Sequence, residues 1–201
     1  MRALLIAAGL LLSTGTASAA APGADPDWPC QQVLVPTLTA GMVWSGPAID
    51  QAANWHADPE VAALVQRIAP NDVPVEQGEA AIGAFAKTLG ADRARRLTLV
   101  FAGLLDETNQ QRSEMIEHIK DLGQRQRNLV RLIDRLAAEL DAAPSDAQGD
   151  AAARADLQQR WTFTSRTYAE VQRTMQYACD APRSLDARLG AYAHTIQAAL
   201  P

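Results

Sequence analysis

The feature that most constrains this chain is an uninterrupted helical pattern between Arg93 and Leu140. The stretch contains no proline, and only Gly103 and Gly123 weaken its preference for helix. Its seam positions follow one another by alternating steps of four and three: Phe101, Leu105, Thr108, Arg112, Met115, Ile119, Leu122, Gln126, Leu129, Ile133, Leu136 and Leu140. Such a helix would be roughly 70 Å long, so we expect other segments to pack along its whole length.

A second helix is predicted to return along the first. Asp141-Ala142-Ala143-Pro144 ends the first helix, and Ser145-Asp146-Ala147-Gln148 has the form of a capping box that opens the next. The steps of four and three then resume at Leu157, Trp161, Thr164, Tyr168, Val171, Met175 and Ala178. The short connection predicts an antiparallel hairpin over residues 93–179, in which residues 140 and 152 lie roughly opposite each other.

Three shorter helices are predicted to cover the first third of the long one. Asp58 is the expected N-cap of a helix that runs to about Ile68, and a second runs from about Val75 to Leu89, where Gly90 stops it. A C-terminal helix is expected after Pro182, with an amphipathic stripe formed by Leu185, Leu189, Tyr192, Ala193, Ile196 and Leu200. The predicted fold class is therefore all-α, a long antiparallel helical hairpin on a base of short helices.

Residues 20–57 are predicted to form an extended N-terminal arm rich in proline and tryptophan. Helix and central strand are both disfavoured there by Pro22, Pro26, Pro29, Pro36 and Pro47. The arm is too apolar for a disordered linker, because it also carries Trp28, Trp44 and Trp55. We therefore expect it to dock along a single helical domain that comprises residues 58–201.

Residues 1–19 have the pattern of a cleaved signal peptide. Arg2 gives a short positive start, Ala3 to Leu12 form the apolar run, and Ala17-Ser18-Ala19 supply small residues at the cleavage site. The apolar run is shorter than the roughly 20 residues that a membrane-spanning helix requires. The sequence therefore predicts a mature chain that begins near Ala20 and is periplasmic or secreted.

The chain contains two cysteines, Cys30 and Cys179, one near each end of the mature protein. In an oxidising compartment such a pair favours a disulfide. Free thiols or thiols that bind a metal are the alternative, although no Cys-x-x-Cys spacing supports it. The formal net charge is −5, and no segment concentrates Lys and Arg, which argues against nucleic acid as a partner.

Three motifs resemble those of a group of uncharacterised secreted proteobacterial helical proteins. They are Asp27-Trp28-Pro29-Cys30-Gln31, the stretch Leu104-Leu105-Asp106-Glu107-Thr108-Asn109-Gln110-Gln111-Arg112, and Tyr177-Ala178-Cys179-Asp180-Ala181-Pro182 followed by Leu185-Asp186-Ala187-Arg188-Leu189. The resemblance covers most of the mature chain. It implies a secreted helical protein and brings no activity, cofactor or catalytic residue with it.

The sequence offers little support for an enzyme. It lacks the G-x-S-x-G and glycine-rich phosphate-binding motifs, and Cys30 would be inert if it is paired. Glu114, His118 and Asp121 share one helix face, as metal ligands could, but a solvated polar face is the favoured interpretation. A di-iron bundle would need Glu-x-x-His motifs on two helices, and position 115 is Met. We predict no catalytic residue, no metal and no cofactor.

Two classes of function remain open. The first is a periplasmic non-catalytic interaction or scaffolding protein, and the second is a small-ligand or metal carrier with a pocket between the arm and the helical base. Polar seam residues Thr108, Arg112 and Gln126 could recognise a partner helix, although control of the helix register or simple partial exposure of the seam is favoured. The tryptophans could likewise line a groove, although anchoring of the arm is favoured.

The candidate interaction surface is the distal hairpin. Two helices bury only one seam, so apolar residues beside it, including Leu132 and Phe163, are expected to remain partly in water unless another chain covers them. The expected partner is an envelope protein or a second copy of this chain.

Overall fold

In a computed structural model, residue 25 and residues 27–49, 54–143 and 151–201 are described, and these carry four α-helices and three short 3₁₀ turns. The helices are α1 (Pro59–Ile68), α2 (Val75–Ala86), α3 (Arg93–Ala142) and α4 (Ala151–Ala198). The long helices α3 and α4 pack against each other, with α1 against α3 and α2 against α4. The all-α prediction is confirmed. The predicted signal peptide and the capping box at 145–148 lie outside the described residues.

Helix α1 begins as the sequence predicts. The side chain of Asp58 accepts a hydrogen bond from the Val61 N–H at 3.2 Å, which makes it the N-cap, and Pro59 takes the first helical position. Four apolar residues on one side of this short helix are buried: Val61, Leu64, Val65 and Ile68. The helix therefore lays a continuous apolar stripe on α3.

Helix α2 ends three residues earlier than predicted, at Ala86 rather than Leu89. The Thr88 N–H and hydroxyl both bond to the Phe85 carbonyl, and the Leu89 N–H bonds to the Ala86 carbonyl, so the chain tightens into turns after the helix. Gly90 follows with φ +45°, a conformation that glycine adopts without strain.

Helix α4 does not stop at residue 179 but continues through Pro182 to Ala198, so the prediction of a separate C-terminal helix is wrong. Proline removes one hydrogen bond from a helix and usually interrupts it. Here Pro182 is buried, and its carbonyl accepts a hydrogen bond from Arg112 on α3 at 3.2 Å. The nearby Cys179 carbonyl accepts one from the Gln32 side chain. Tertiary contacts thus hold the helix together across the proline.

The main core lies at the base, where α1, α2 and the C-terminal third of α4 surround the start of α3. Leu97, Val100, Phe101 and Leu104 of α3 are fully buried there, on a wider stripe than a two-helix seam requires. Towards the hairpin tip the buried seam narrows, with Leu136 enclosed while Leu129, Ile133 and Leu140 are half-buried. The buried apolar stripe of α3 is therefore wider at the base, where several helices surround it, than at the tip, where only α4 packs on it.

A smaller core lies where the arm crosses the hairpin. It contains Ile119 and Leu122 of α3 with Val171 and Met175 of α4, and Trp28 of the arm packs against it. Cys30 and Cys179 are joined beside it with a Cα–Cα distance of 5.7 Å, as the sequence predicted. None of the described helices is long and apolar enough to cross a membrane.

Candidate interaction surface on the distal hairpin

The register of the hairpin is defined by two arginines. At the tip, Arg154 of α4 donates hydrogen bonds to the carbonyl oxygens of Leu140 at 3.2 Å and Ala143 at 2.9 Å. Near the base, Arg112 donates to the Pro182 carbonyl. Leu140 thus lies near the level of Arg154, within two residues of the predicted position 152. The same register places Leu132 level with Phe163.

The arm covers one face of the hairpin. Asn109, Arg112, Gly123 and Arg127 of α3 all contact it, and at about 100° per residue these positions fall within about 60° of one another around the helix. Gly123 leaves room for the Pro29 ring, which an added Cβ would approach to 3.2 Å. The small residue therefore lets the arm lie close against α3.

The base helices cover the opposite face, but only near the base. Gln111 of α3 donates to the Ala69 carbonyl at 3.1 Å. Arg188 of α4 donates to the carbonyl oxygens of Ile68, Pro70 and Asn71 at 2.7 to 3.2 Å. These contacts mark the limit of the part of this face that the base covers. Beyond Gln111, none of the hydrogen bonds or ion pairs among the described residues joins the base to this side of the hairpin.

Leu132 and Phe163 both belong to this second face. Arg96, which binds α1, and Leu132 are thirty-six residues apart, ten full turns of helix, so they point in the same direction. Phe163 is twenty-five residues from Arg188, which brings it within about 20° of the direction of that arginine. Phe163 is 71% exposed and Leu132 is half-buried. We call the part of this face that spans residues 114–139 of α3 and 156–177 of α4 the uncovered face.

Tyr177 is a member of the uncovered face that sequence reasoning missed. It is 79% exposed, and it lies fourteen residues from Phe163, close to four helical turns or about 21 Å. The register places it level with His118 on α3. The spacing of Tyr177 from Phe163 was a usable signal, because both positions lie within the predicted helix, but only the distal half of the hairpin was expected to be uncovered.

Among the polar seam residues, Arg112 makes contacts inside the molecule. Arg112 is 3% exposed and donates to the carbonyl oxygens of Val35 and Pro182 and to the Asp186 carboxylate. It thereby joins the arm, α3 and α4 at one point. Thr108 and Gln126 are half-buried. The described contacts of Arg112 are therefore internal to the chain.

The tryptophans anchor the arm. The Trp44 ring stacks on Phe101 with 4.2 Å between ring centroids. Trp55 is buried, and its indole N–H donates to Asp106 at 3.3 Å. The Trp28 indole donates to the Gln32 carbonyl at 2.7 Å. Each ring thus contributes apolar area to the interior. Each indole N–H also has a partner, which for Trp44 is the Pro47 carbonyl at 2.8 Å.

Two clefts separate the arm from the base, where the ligand-carrier interpretation would place a pocket. One of about 340 Å³ is lined by Pro47, Ala48 and Ile49 of the arm and by residues 94–102 of α3. The other, of about 460 Å³, is lined by residues around Asn54, Asp58 and Arg96. Residues 50–53, which join these two linings, are outside the described residues, and the clefts therefore carry no ligand assignment.

Glu114, His118 and Asp121 are all exposed on the uncovered face. Within the described residues, no group of three or more His, Cys, Asp or Glu side chains is arranged to hold a metal ion.

Two ion pairs fix the segments that border the hairpin. Arg96 donates to Asp58 at 2.7 and 2.8 Å, and this contact lowers the pKa of Asp58 below its usual value and raises that of Arg96. At the start of the arm, the Asp27 N–H and then Lys120 lower the pKa of Asp25. These charges hold α1 and the arm on opposite sides of α3.

Comparisons of the chain with family models, with curated proteins and with solved structures give no match.

Proposed function

We propose that this chain is an exported, non-catalytic interaction protein of the cell envelope that presents the uncovered face of its hairpin to another protein. The observation that carries the proposal is the unequal coverage of the two hairpin faces. The arm extends to Gly123 and Arg127 on one face, whereas the base ends at Gln111 on the other. Phe163 and Tyr177 lie exposed beyond that limit. Large aromatic side chains at such positions are typical of contact surfaces.

The internal chemistry of the described residues supports a non-catalytic role. The buried arginines Arg112 and Arg188 are committed to carbonyl oxygens of neighbouring segments, and both cysteines are joined to each other. A paired cysteine is not a nucleophile. The export part of the proposal rests on the leader pattern of residues 1–19 and on the cysteine pair, because disulfides persist in oxidising compartments.

Site-specific photo-crosslinking in intact cells tests the proposal. A photoreactive phenylalanine analogue replaces Phe163 or Tyr177 in the full-length chain, and a matched control places it at Gln172. Gln172 is exposed on the same helix, but it is sixteen residues from Arg188 and so points to the side of the arm. We expect a defined crosslinked product from positions 163 and 177 and none from position 172. Equal products at all three positions, or none, would contradict the proposal.

A further inference from the structure

We propose that the occupant of the uncovered face is a second copy of this chain, packed antiparallel to the first about a two-fold axis at the level of Arg125 and Glu170. This inference rests on the proposed function, since it names the partner of the same face. Two observations carry it: the side of the hairpin on which the base protrudes, and the order of charges along α3.

The base permits only the antiparallel arrangement. The connection between α1 and α2 protrudes from the same side of the hairpin, where Ala69 contacts Gln111 and Pro70 contacts Arg188. Two copies packed face to face with both tips in the same direction would bring these bases into collision. The free stretch from Gln111 to Ala142 is about 45 Å long, which is enough for the tip of one hairpin to reach the base of the other.

The proposed axis lies midway between the two exposed aromatic residues of the uncovered face. On α4, Phe163 and Tyr177 are each seven residues from Glu170. On α3, Leu132 and His118 are each seven residues from Arg125. The two-fold rotation therefore lays Phe163 of one copy on Tyr177 of the other, and Leu132 on His118. Each contact occurs twice, as an isologous interface requires.

Charges along α3 are arranged in complementary order. The segment near the base carries the exposed residues Glu114, Glu117 and Asp121. The segment near the tip carries Arg135 and, one turn further, Glu139, which the rotation places level with the uncharged Gln111. The rotation places Arg135 between the levels of Glu114 and Glu117 of the second copy. Arg125 and Glu170 lie at the axis on neighbouring helices, so each meets its own counterpart in the second copy and has the opposite charge on the adjacent helix. Since exposed ion pairs contribute little individually, the dimer is weak and depends on salt.

Charge reversal tests the arrangement on the full-length, oxidised chain by sedimentation equilibrium at low ionic strength. We expect a reversible dimer for the natural sequence. Glu114→Arg with Glu117→Arg should raise its dissociation constant by at least about tenfold, and so should Arg135→Glu, because each places like charges together at two symmetric positions. The variant that combines all three substitutions should recover the original dissociation constant, because the positive and negative positions exchange their charges and attract each other again. Asp134→Arg, an exposed reversal on the arm side of α3, should leave it unchanged.

The same photoreactive group at position 163 reports the orientation. In the purified dimer it should attach to peptides around Tyr177 of the other copy, whereas a parallel dimer would give attachment near Leu132. The inference would be overturned if the chain were monomeric at every accessible concentration. It would also be overturned if the charge reversals left the dissociation constant of the dimer unchanged. If the chain is monomeric and position 163 still captures a different protein in cells, the proposed function stands and only the choice of a second copy fails.

Discussion

The side chain of Asn109 pairs with both backbone polar groups of Leu38. Its amide oxygen accepts the Leu38 N–H at 2.8 Å, and its amide nitrogen donates to the Leu38 carbonyl at 3.0 Å. Leu38 is 6% exposed, so its backbone groups would lose water without gaining a partner if the asparagine were absent. One helix residue thus supplies the two bonds that a neighbouring strand would supply in a sheet.

Asn109→Asp should lower the free energy of unfolding by about 2 kcal/mol, because a carboxylate keeps the acceptor but faces the Leu38 carbonyl with no donor. Urea denaturation followed by circular dichroism measures the change. The matched control is Asn128→Asp on the exposed surface of the same helix, which should change stability by less than about 0.5 kcal/mol. Equal effects of the two substitutions would contradict the role given to Asn109.

Gly78→Ala should destabilise the protein although alanine favours helix over glycine. A Cβ at position 78 would lie 2.1 Å from the Tyr192 hydroxyl oxygen, so α2 would have to move away from α4 at an expected cost of about 1–3 kcal/mol. Gly83 is on the same helix and has open space around its Cβ position. Gly83→Ala should therefore stabilise the protein by about 0.5–1 kcal/mol. Thermal unfolding of both variants should show shifts of opposite sign, and shifts of the same sign would refute the close packing at Gly78.

Asp58→Asn should remove a stabilising term that depends on pH. Arg96 holds the pKa of Asp58 in the folded protein below its usual value of 3.8, so the carboxylate stabilises the fold above about pH 4 and loses this effect as the pH falls through the lowered pKa. Asparagine still caps α1 but cannot form the ion pair. We expect the substitution to lower the free energy of unfolding by about 2 kcal/mol at pH 7 and to have no effect on it in strong acid. Thermal unfolding across this pH range measures it.

Glu60→Gln is the matched comparison for the Asp58 variant. Glu60 binds the same arginine at 2.6 Å, but its side chain is 69% exposed, whereas that of Asp58 is mostly buried. Solvent screens an exposed pair, so Glu60→Gln should have a much smaller effect at pH 7. If the two variants lost equal stability, burial of the Asp58 pair would not be the source of its contribution.

Local sequence patterns determined where α1, α2 and α3 begin. The proline-free run after Arg93 and the steps of four and three predicted a helix that the structure extends from Arg93 to Ala142. Asp58 and Pro59 predicted the start of α1. These features depend on interactions within a few residues, because backbone bonding, capping and side-chain periodicity all act over one or two turns. The sequence also paired the two cysteines, since no other cysteine competes.

Only the tertiary structure decided how far each face of the hairpin is covered. Pro182 carries a local signal to end the helix, but its burial and the hydrogen bond from Arg112 override that signal. The direction of Phe163 and Tyr177 relative to the base follows from the contacts of Arg188 with the turn after α1, over more than a hundred residues of chain. Periodicity reports that a helix has an apolar side, whereas long-range packing decides which neighbour lies there and where it ends.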